Sequence, residues 1–309
     1  MTRAVIPARL RAGDVVAVVA PSGPPAAEAL VRGLTRLSGR YDVRVPEGLA
    51  ERGDGYLSAP DEARAEELSR ALRDPDVRAV FVARGGYGLT RILPLLDAAA
   101  LRHDPKPIVG FSDATALLAW AYEAAGVRGI HGPVVTQLGE LPPDDFAWLV
   151  RILESPAPVG AVPGVFGKIG ASGGGSVEGR LIGGNLEMVT RLIGTPWQVD
   201  LGASVLFLED VGERPYRIDR AITHLATAGQ LDAVRAVALG SFTRCEPNAG
   251  ERSAGPMEVI DLRLRELGLA GVGGLPCGHG ARNVALPFGA RAVVDLGRAG
   301  VVIEDAAVA

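Results

Sequence analysis

Three side chains of this 309-residue chain have the types and the chain order for nucleophilic acyl chemistry: Ser112, Glu209 and His279. Ser112 stands in Pro107-Ile108-Val109-Gly110-Phe111-Ser112-Asp113-Ala114-Thr115, where a buried β-run leads into an apolar-faced helix, Ala114 to Ala125, closed by Gly126. A serine at such a turn stands its hydroxyl above the carboxyl end of a sheet. The N–H of Asp113, at the helix N-terminus, can then receive an oxyanion. The same pattern also fits a plain helix cap made by Ser112 or Asp113. Glu209 follows Val205-Leu206-Phe207-Leu208, and with Asp210 it reads equally as the polar end of a buried strand. His279 lies between Gly278 and Gly280, which leave backbone room around it and place it on a loop. Serine is a weak nucleophile near neutral pH, so His279 would take its proton and later return it to a leaving amine. Glu209 would fix the imidazole tautomer and stabilise the imidazolium.

Other chemistries compete for these residues. Arg84-Gly85-Gly86-Tyr87-Gly88 follows an apolar run, Ala79 to Ala83, and a glycine-rich turn there could cradle phosphate. It lacks both the lysine-serine ending and the dinucleotide spacing. The better reading is a backbone donor: Gly86 N–H, with Asp113 N–H, completes an oxyanion hole. Cys245, Cys277, His279 and Glu209 are all competent zinc ligands, but no Cys-x-x-Cys pair and no His-Glu-x-x-His helix occurs, so neither a metal nor a cofactor is expected. A third class is a non-catalytic module that binds a peptide or nucleotide. If the ligand ends in a carboxylate, the arginine fork suits it, and Arg84, Arg244 and Arg282 lie nearest in sequence to the proposed site. Each reads as readily as a surface or ion-pair arginine. His131 and Trp197 read as structural.

The elements that must position these groups follow an α/β rhythm. Asp14 to Ala20 is a β-run ending in Pro21-Ser22-Gly23-Pro24 and is followed by a helical pattern from Ala26 to Leu37. Ala79 to Ala83, the run before Ser112, and Gly129 to Val135 give three more strands. Residues Ser22, Gly85, Gly86 and Ser112 thus all fall at strand carboxyl ends, which in an open parallel sheet line one crevice. The pattern dissolves from Glu154 to Gly175 into prolines and Ser172-Gly173-Gly174-Gly175, a linker by composition. A second unit follows, with helices over Asn185 to Ile193 and Pro215 to Ala228, strands over Ser204 to Leu208 and Val234 to Leu239, and a β-hairpin over Ala290 to Glu304. The expected architecture is therefore α/β: an N-terminal doubly wound, Rossmann- or flavodoxin-like parallel-sheet domain over 1–153, the linker over 154–175, and a C-terminal mixed α/β domain over 176–309. The nucleophile belongs to the first domain and its base to the second, so the active site is expected in the cleft between them.

Composition narrows the class of partner. With 48% apolar and 22% charged residues the chain is a folded globular protein, and its 32 basic and 36 acidic residues are interspersed to a net charge of -4. Neither nucleic acid nor an anionic membrane surface is suggested. Two cysteines make no disulfide framework and fit a reducing compartment. The stretch from Met1 to Gly13 carries Arg3, Arg9 and Arg11 without the apolar core of a secretory signal, and no apolar run reaches membrane-spanning length. A cytoplasmic protein is expected, and a homodimer is compatible with the sequence.

In chain order, Val19-Ala20-Pro21-Ser22-Gly23, Ala83-Arg84-Gly85-Gly86-Tyr87-Gly88, Gly110-Phe111-Ser112-Asp113, Gly183-Gly184-Asn185-Leu186, Leu206-Phe207-Leu208-Glu209-Asp210-Val211-Gly212-Glu213 and Gly278-His279-Gly280 resemble the LD-carboxypeptidase family of serine peptidases, which includes muramoyl-tetrapeptide carboxypeptidase. Each motif is weak alone; six in order across nearly the whole chain are specific. The resemblance implies a Ser112, His279 and Glu209 triad in a non-metal hydrolase that works through an acyl-enzyme. It also implies a murein-peptide substrate, the tetrapeptide of cytoplasmic peptidoglycan fragments, cut to release its terminal D-alanine. Phe111 departs from the tyrosine usual before the nucleophile and so removes a hydroxyl. A sister branch hydrolyses microcin C-type peptidyl nucleotides and grips adenine with an aromatic-bearing loop in mid-chain. The equivalent stretch here, near Gly164 to Gly179, holds Phe166 but no tryptophan, which favours the cell-wall branch.

Overall fold

Short Val- and Ile-rich runs too brief to bury themselves as helices become the strands of the first sheet, where burial on both faces matches their unbroken apolar character. The computed structural model describes residues 4–52, 55–248, 250, 252 and 254–309. Arg3, part of the polar N-terminal stretch, lies outside the described residues. Val15–Val19 (β1), Asp42–Arg44 (β2), Ala79–Val82 (β3), Ile108–Gly110 (β4) and Ile130–His131 (β5) pair in parallel in the order β2-β1-β3-β4-β5. This is the flavodoxin-like order, in which the crevice opens where β1 and β3 diverge. Val16, Val18, Val80, Phe81, Val82, Ile108 and Val109 are buried along the three central strands. Helices Ala27–Ser38, Asp61–Arg73, Ala114–Glu123 and Pro143–Glu154 belong to the same unit and bury their apolar faces.

The chain divides into two compact units, 1–156 with 284–288 and 306–309, and 157–283 with 289–305. The second is built on an eight-stranded mixed sheet. Its strands are Gly160–Ala161 (β6), Gly167–Gly170 (β7), Ser176–Asn185 (β8), Ser204–Val211 (β9), Ala236–Thr243 (β10) and Ala270–Gly273 (β11). After Leu286–Pro287 (β12), which pairs with β5 in the first unit, come Arg291–Asp295 (β13) and Gly300–Ile303 (β14). The order is β6-β14-β13-β8-β9-β10-β11-β7, parallel from β8 to β11 and antiparallel at both flanks.

Three expectations need correction. The stretch 154–175 is not a bare linker: β6 and β7 lie in it and form the two edges of the second sheet, so glycine and proline there mark short edge strands. The C-terminal segment is not confined to the second unit, because 284–288 and 306–309 return to the first, where Ala309 exchanges main-chain bonds of 2.9 Å with Pro7 and Arg9. The strand expected over Gly129 to Val135 is only Ile130–His131, and Val135–Leu138 is helical. Among the described residues, no helix is long and apolar enough to cross a membrane.

Candidate active site

In the first unit, the loops after β1, β3 and β4 meet at the divergence of β1 and β3. Gly23 N–H donates to Gly85 O at 3.1 Å, and Ser22 Oγ donates to Asp113 Oδ2 at 2.6 Å. A Cβ placed on Gly85 would lie 2.9 Å from both Cβ and Oγ of Ser112, so only a glycine lets this loop rest on the serine. Ser112 itself has φ +62°, a left-handed conformation that costs a non-glycine residue about 1–3 kcal/mol. Backbone strain of this kind, on a residue delivered by a buried strand, is what the sharp nucleophile turn requires. Gly110, at the end of β4, receives Gly132 N–H at 3.1 Å, and Phe111 is buried with its ring edge-on to that of His131 at 5.9 Å. His131 is thus part of the core under the turn.

Asp113 starts helix Ala114–Glu123 but does not cap it with its side chain. Its carboxylate instead accepts from Ser22 Oγ and, at 3.0 Å, from Leu89 N–H, and burial pushes its pKa above the usual carboxylate range. The capping alternative is therefore not the arrangement found. Among the described residues, the main-chain N–H groups of Asp113 and Gly86 donate no hydrogen bond. Tyr87 is half exposed, and its ring lies 6.1 Å from that of Tyr56.

In the second unit, β9 runs on through Glu209 and Asp210 to Val211, so both carboxylates are within the strand rather than beyond its end. Pairing of β9 with β10 shifts register between Leu239 and Phe242, opposite Glu209. At that irregularity Ser241 N–H donates to Cys277 O at 2.9 Å and brings in the loop that carries His279. His279 Nδ1 lies 2.7 Å from Glu209 Oε2; the carboxylate is 0% exposed and the imidazole 19%. Gly278, with φ +106°, passes so close that a Cβ there would lie 2.5 Å from Glu209 Oε2, and its N–H is held by Asn283 Oδ1 at 3.0 Å. A buried carboxylate on Nδ1 fixes the imidazole tautomer. Glu209 Oε1 is buried and has no partner among the described residues.

Asp210 turns its carboxylate to the other neighbours of β9. It accepts from Asn185 Nδ2 at 2.9 Å, Glu187 N–H at 3.0 Å and Val211 N–H at 2.8 Å, and burial pushes its pKa up to about 6. Asn185, the last residue of β8, also caps helix Leu186–Arg191 by accepting from Met188 N–H at 3.1 Å. Burial pushes the Cys245 thiol up to about 11, and burial next to Glu209 holds Cys277 well above the usual thiol range. Among the described residues no group of three or more His, Cys, Asp or Glu side chains is placed to hold a metal ion. Of the three arginines nominated for a substrate carboxylate, all are exposed; Arg84 is engaged with Pro24 O at 2.9 Å, and Arg244 has φ +56°.

A flavodoxin-like sheet with a serine in a left-handed turn, and in the second unit a buried glutamate against a histidine, fit the class of serine-type hydrolases. Comparison with known proteins gives the family: residues 16–132 match the LD-carboxypeptidase N-terminal domain and residues 178–294 its C-terminal domain. A protein of Synechocystis sp., named only provisionally as a carboxypeptidase, is 38% identical, with 94% of each chain covered. The murein tetrapeptide carboxypeptidase of Pseudomonas aeruginosa is 37% identical over 78% of this chain and 80% of its own. A structure of MccF in complex with glutamyl sulfamoyl guanosine superimposes with a TM-score of 0.90 at 25% identity, covering 98% of this chain and 99% of the other. The chain belongs to the LD-carboxypeptidase family and is a serine-type hydrolase of that family.

Proposed function

We propose that this enzyme is a murein tetrapeptide carboxypeptidase that releases terminal D-alanine by cutting after the L-centre of the diamino acid, with Ser112, His279 and Glu209 as its triad. Ser112 Oγ attacks the scissile carbonyl as His279 Nε2 takes its proton; Glu209 holds the ring and balances the imidazolium. The carbonyl oxygen, now an anion, is received by Gly86 and Asp113 N–H. Collapse breaks the C–N bond, His279 gives its proton to the amine of D-alanine, and an acyl-enzyme remains. Water, deprotonated by His279, attacks the ester and restores Ser112.

The observation that carries this reading is the 2.7 Å contact between His279 Nδ1 and a fully buried Glu209, since a carboxylate so placed has the orienting role that a Ser-His pair requires. Family membership supports the reaction class. A carboxypeptidase must also recognise a free carboxylate, and Arg84, Arg244 and Arg282 are the proposed donors. D-alanine release from purified murein tetrapeptide, measured beside a peptidyl-adenylate substrate and the tetrapeptide C-terminal amide, tests the proposal. Release from the acid alone is expected. Turnover of the adenylate with none of the tetrapeptide would move the chain to the MccF-like branch, and equal rates on acid and amide would remove end-specificity.

A further inference from the structure

The chemistry above uses the main chain of Asp113, while its side chain and the buried Arg64 have no part in it. Arg64 lies on helix Asp61–Arg73 on the face that also buries Ala65, Leu68 and Leu72, and none of its side chain is exposed. Its Nη1 donates to Pro21 O and, at 3.0 Å, to Gly88 O; its Nε donates to Ala59 O at 3.0 Å and its Nη2 pairs with Asp61. Asp113 Oδ2 takes the next residue of the same two loops, Ser22 through its hydroxyl at 2.6 Å and Leu89 through its N–H at 3.0 Å. Pro21-Ser22 after β1 and Gly88-Leu89 after β3 are thus each held twice, by a buried cation at the carbonyl and by a buried carboxylate at the donor. Between these anchors lie the Gly23 N–H to Gly85 O bond and the glycine that rests on Ser112.

We propose that the side chains of Arg64 and Asp113 are positioning residues: a cross-brace that sets Gly85 and Gly86 over Ser112 and keeps the serine in its left-handed turn. This rests on the reading of Ser112 as nucleophile and of Gly86 N–H as an oxyanion donor. A guanidinium without solvent must satisfy its donors within the protein, so the carbonyls of Pro21 and Gly88 have little freedom to drift. The opposite charge of Arg64 also favours the ionised form of Asp113 against its burial. An oxyanion hole displaced by about 1 Å costs about 10²-fold in rate without weakening ground-state binding, which defines what the brace contributes.

Arg64→Met and Asp113→Ala are expected to lower kcat for D-alanine release about 10²-fold while KM stays within about threefold. Asp113→Asn has one amide oxygen that can accept both Oδ2 bonds and should recover most of the loss; Arg64→Lys, a point donor, should recover less. Crystal structures of Asp113→Ala and Arg64→Met should show Ser112 relaxed to negative φ and the Gly85-Gly86 peptide moved off its side chain. If an Arg64 variant does not fold, the Asp113→Ala and Asp113→Asn pair decides. Parental kcat in Asp113→Ala, or an unmoved loop with Ser112 still near +62°, overturns the brace. A parent enzyme that releases no D-alanine sinks the function proposed above instead, and the crystal structures then decide the brace alone.

Discussion

In the first unit the proposed nucleophile is held by main chain: Ser112 sits at φ +62° beneath Gly85, with the strain offset by bonds among three loops. In the second unit the proposed base is held by a side chain, His279 against a buried Glu209, and the glycine next to it serves only to let the loop come close. The difference follows from what each group must do. A nucleophile needs its oxygen aimed while the adjacent N–H groups stay open, which a turn can provide. A base needs its tautomer chosen and its charge balanced, which takes a carboxylate. Backbone strain is thus spent where geometry matters, and burial of charge where protonation matters.

Substitutions of increasing subtlety can break or sharpen that contrast. Ser112→Ala should lower turnover by on the order of 10³-fold or more with the thermal transition little changed, because the hydroxyl contributes little packing and its loss removes the proposed nucleophile. The proposed triad acts as a unit, so adding His279→Ala to that variant should cost scarcely more; a large further loss would separate the two residues. Glu209→Gln should cost less than loss of the serine, on the order of 10²- to 10⁴-fold in kcat, since the amide can select the wrong imidazole tautomer. Parental pH-rate behaviour in that variant would show that Glu209 does not serve His279.

The two glycines test the contrast most directly. Gly278→Ala would place a methyl 2.5 Å from Glu209 Oε2 at a φ of +106°, so stability should fall by about 1–3 kcal/mol together with activity. Gly85→Ala meets the Cβ and Oγ of Ser112 at 2.9 Å without a forbidden backbone angle, so activity should fall more than the melting temperature does. Equal thermal shifts in the two would erase the distinction between the units. The last effect, on stability against pH rather than on turnover, concerns Asp210, pushed up to about 6 by burial from 3.8. From about pH 4 to 6 the folded chain keeps a proton that the unfolded chain has shed, so stability falls as pH rises through that window, by on the order of 2–3 kcal/mol at most, and is level above it. Asp210→Asn should flatten that slope in calorimetric melts; an unchanged slope assigns it elsewhere.

Much of this was legible in the chain. The strand-turn-helix context of Ser112, the glycine-rich turn after β3 and the order of motifs identified the family, because each depends on residue type and local spacing. Arg64 carries a signal in the sequence as well: it falls in phase with Leu68, Ala71 and Leu72 on the buried stripe of its helix. A charge on an apolar stripe is a buried group in need of partners. The edge strands β6 and β7 are not legible locally, because glycine and proline lower strand propensity whether a segment is free or lies at a sheet edge.

The sequence by itself determined where strands end, which polar and glycine residues stand at those ends, and which family the chain belongs to. Only the tertiary structure decided that Gly85 lies on Ser112, that Asp113 spans to Ser22 and Leu89 instead of capping its own helix, and that His279 meets Glu209 across 70 residues of chain. The physical reason is range. Periodicity and turn chemistry are set within a few residues, whereas these contacts depend on sheet order and on a register shift between β9 and β10, which no local pattern encodes.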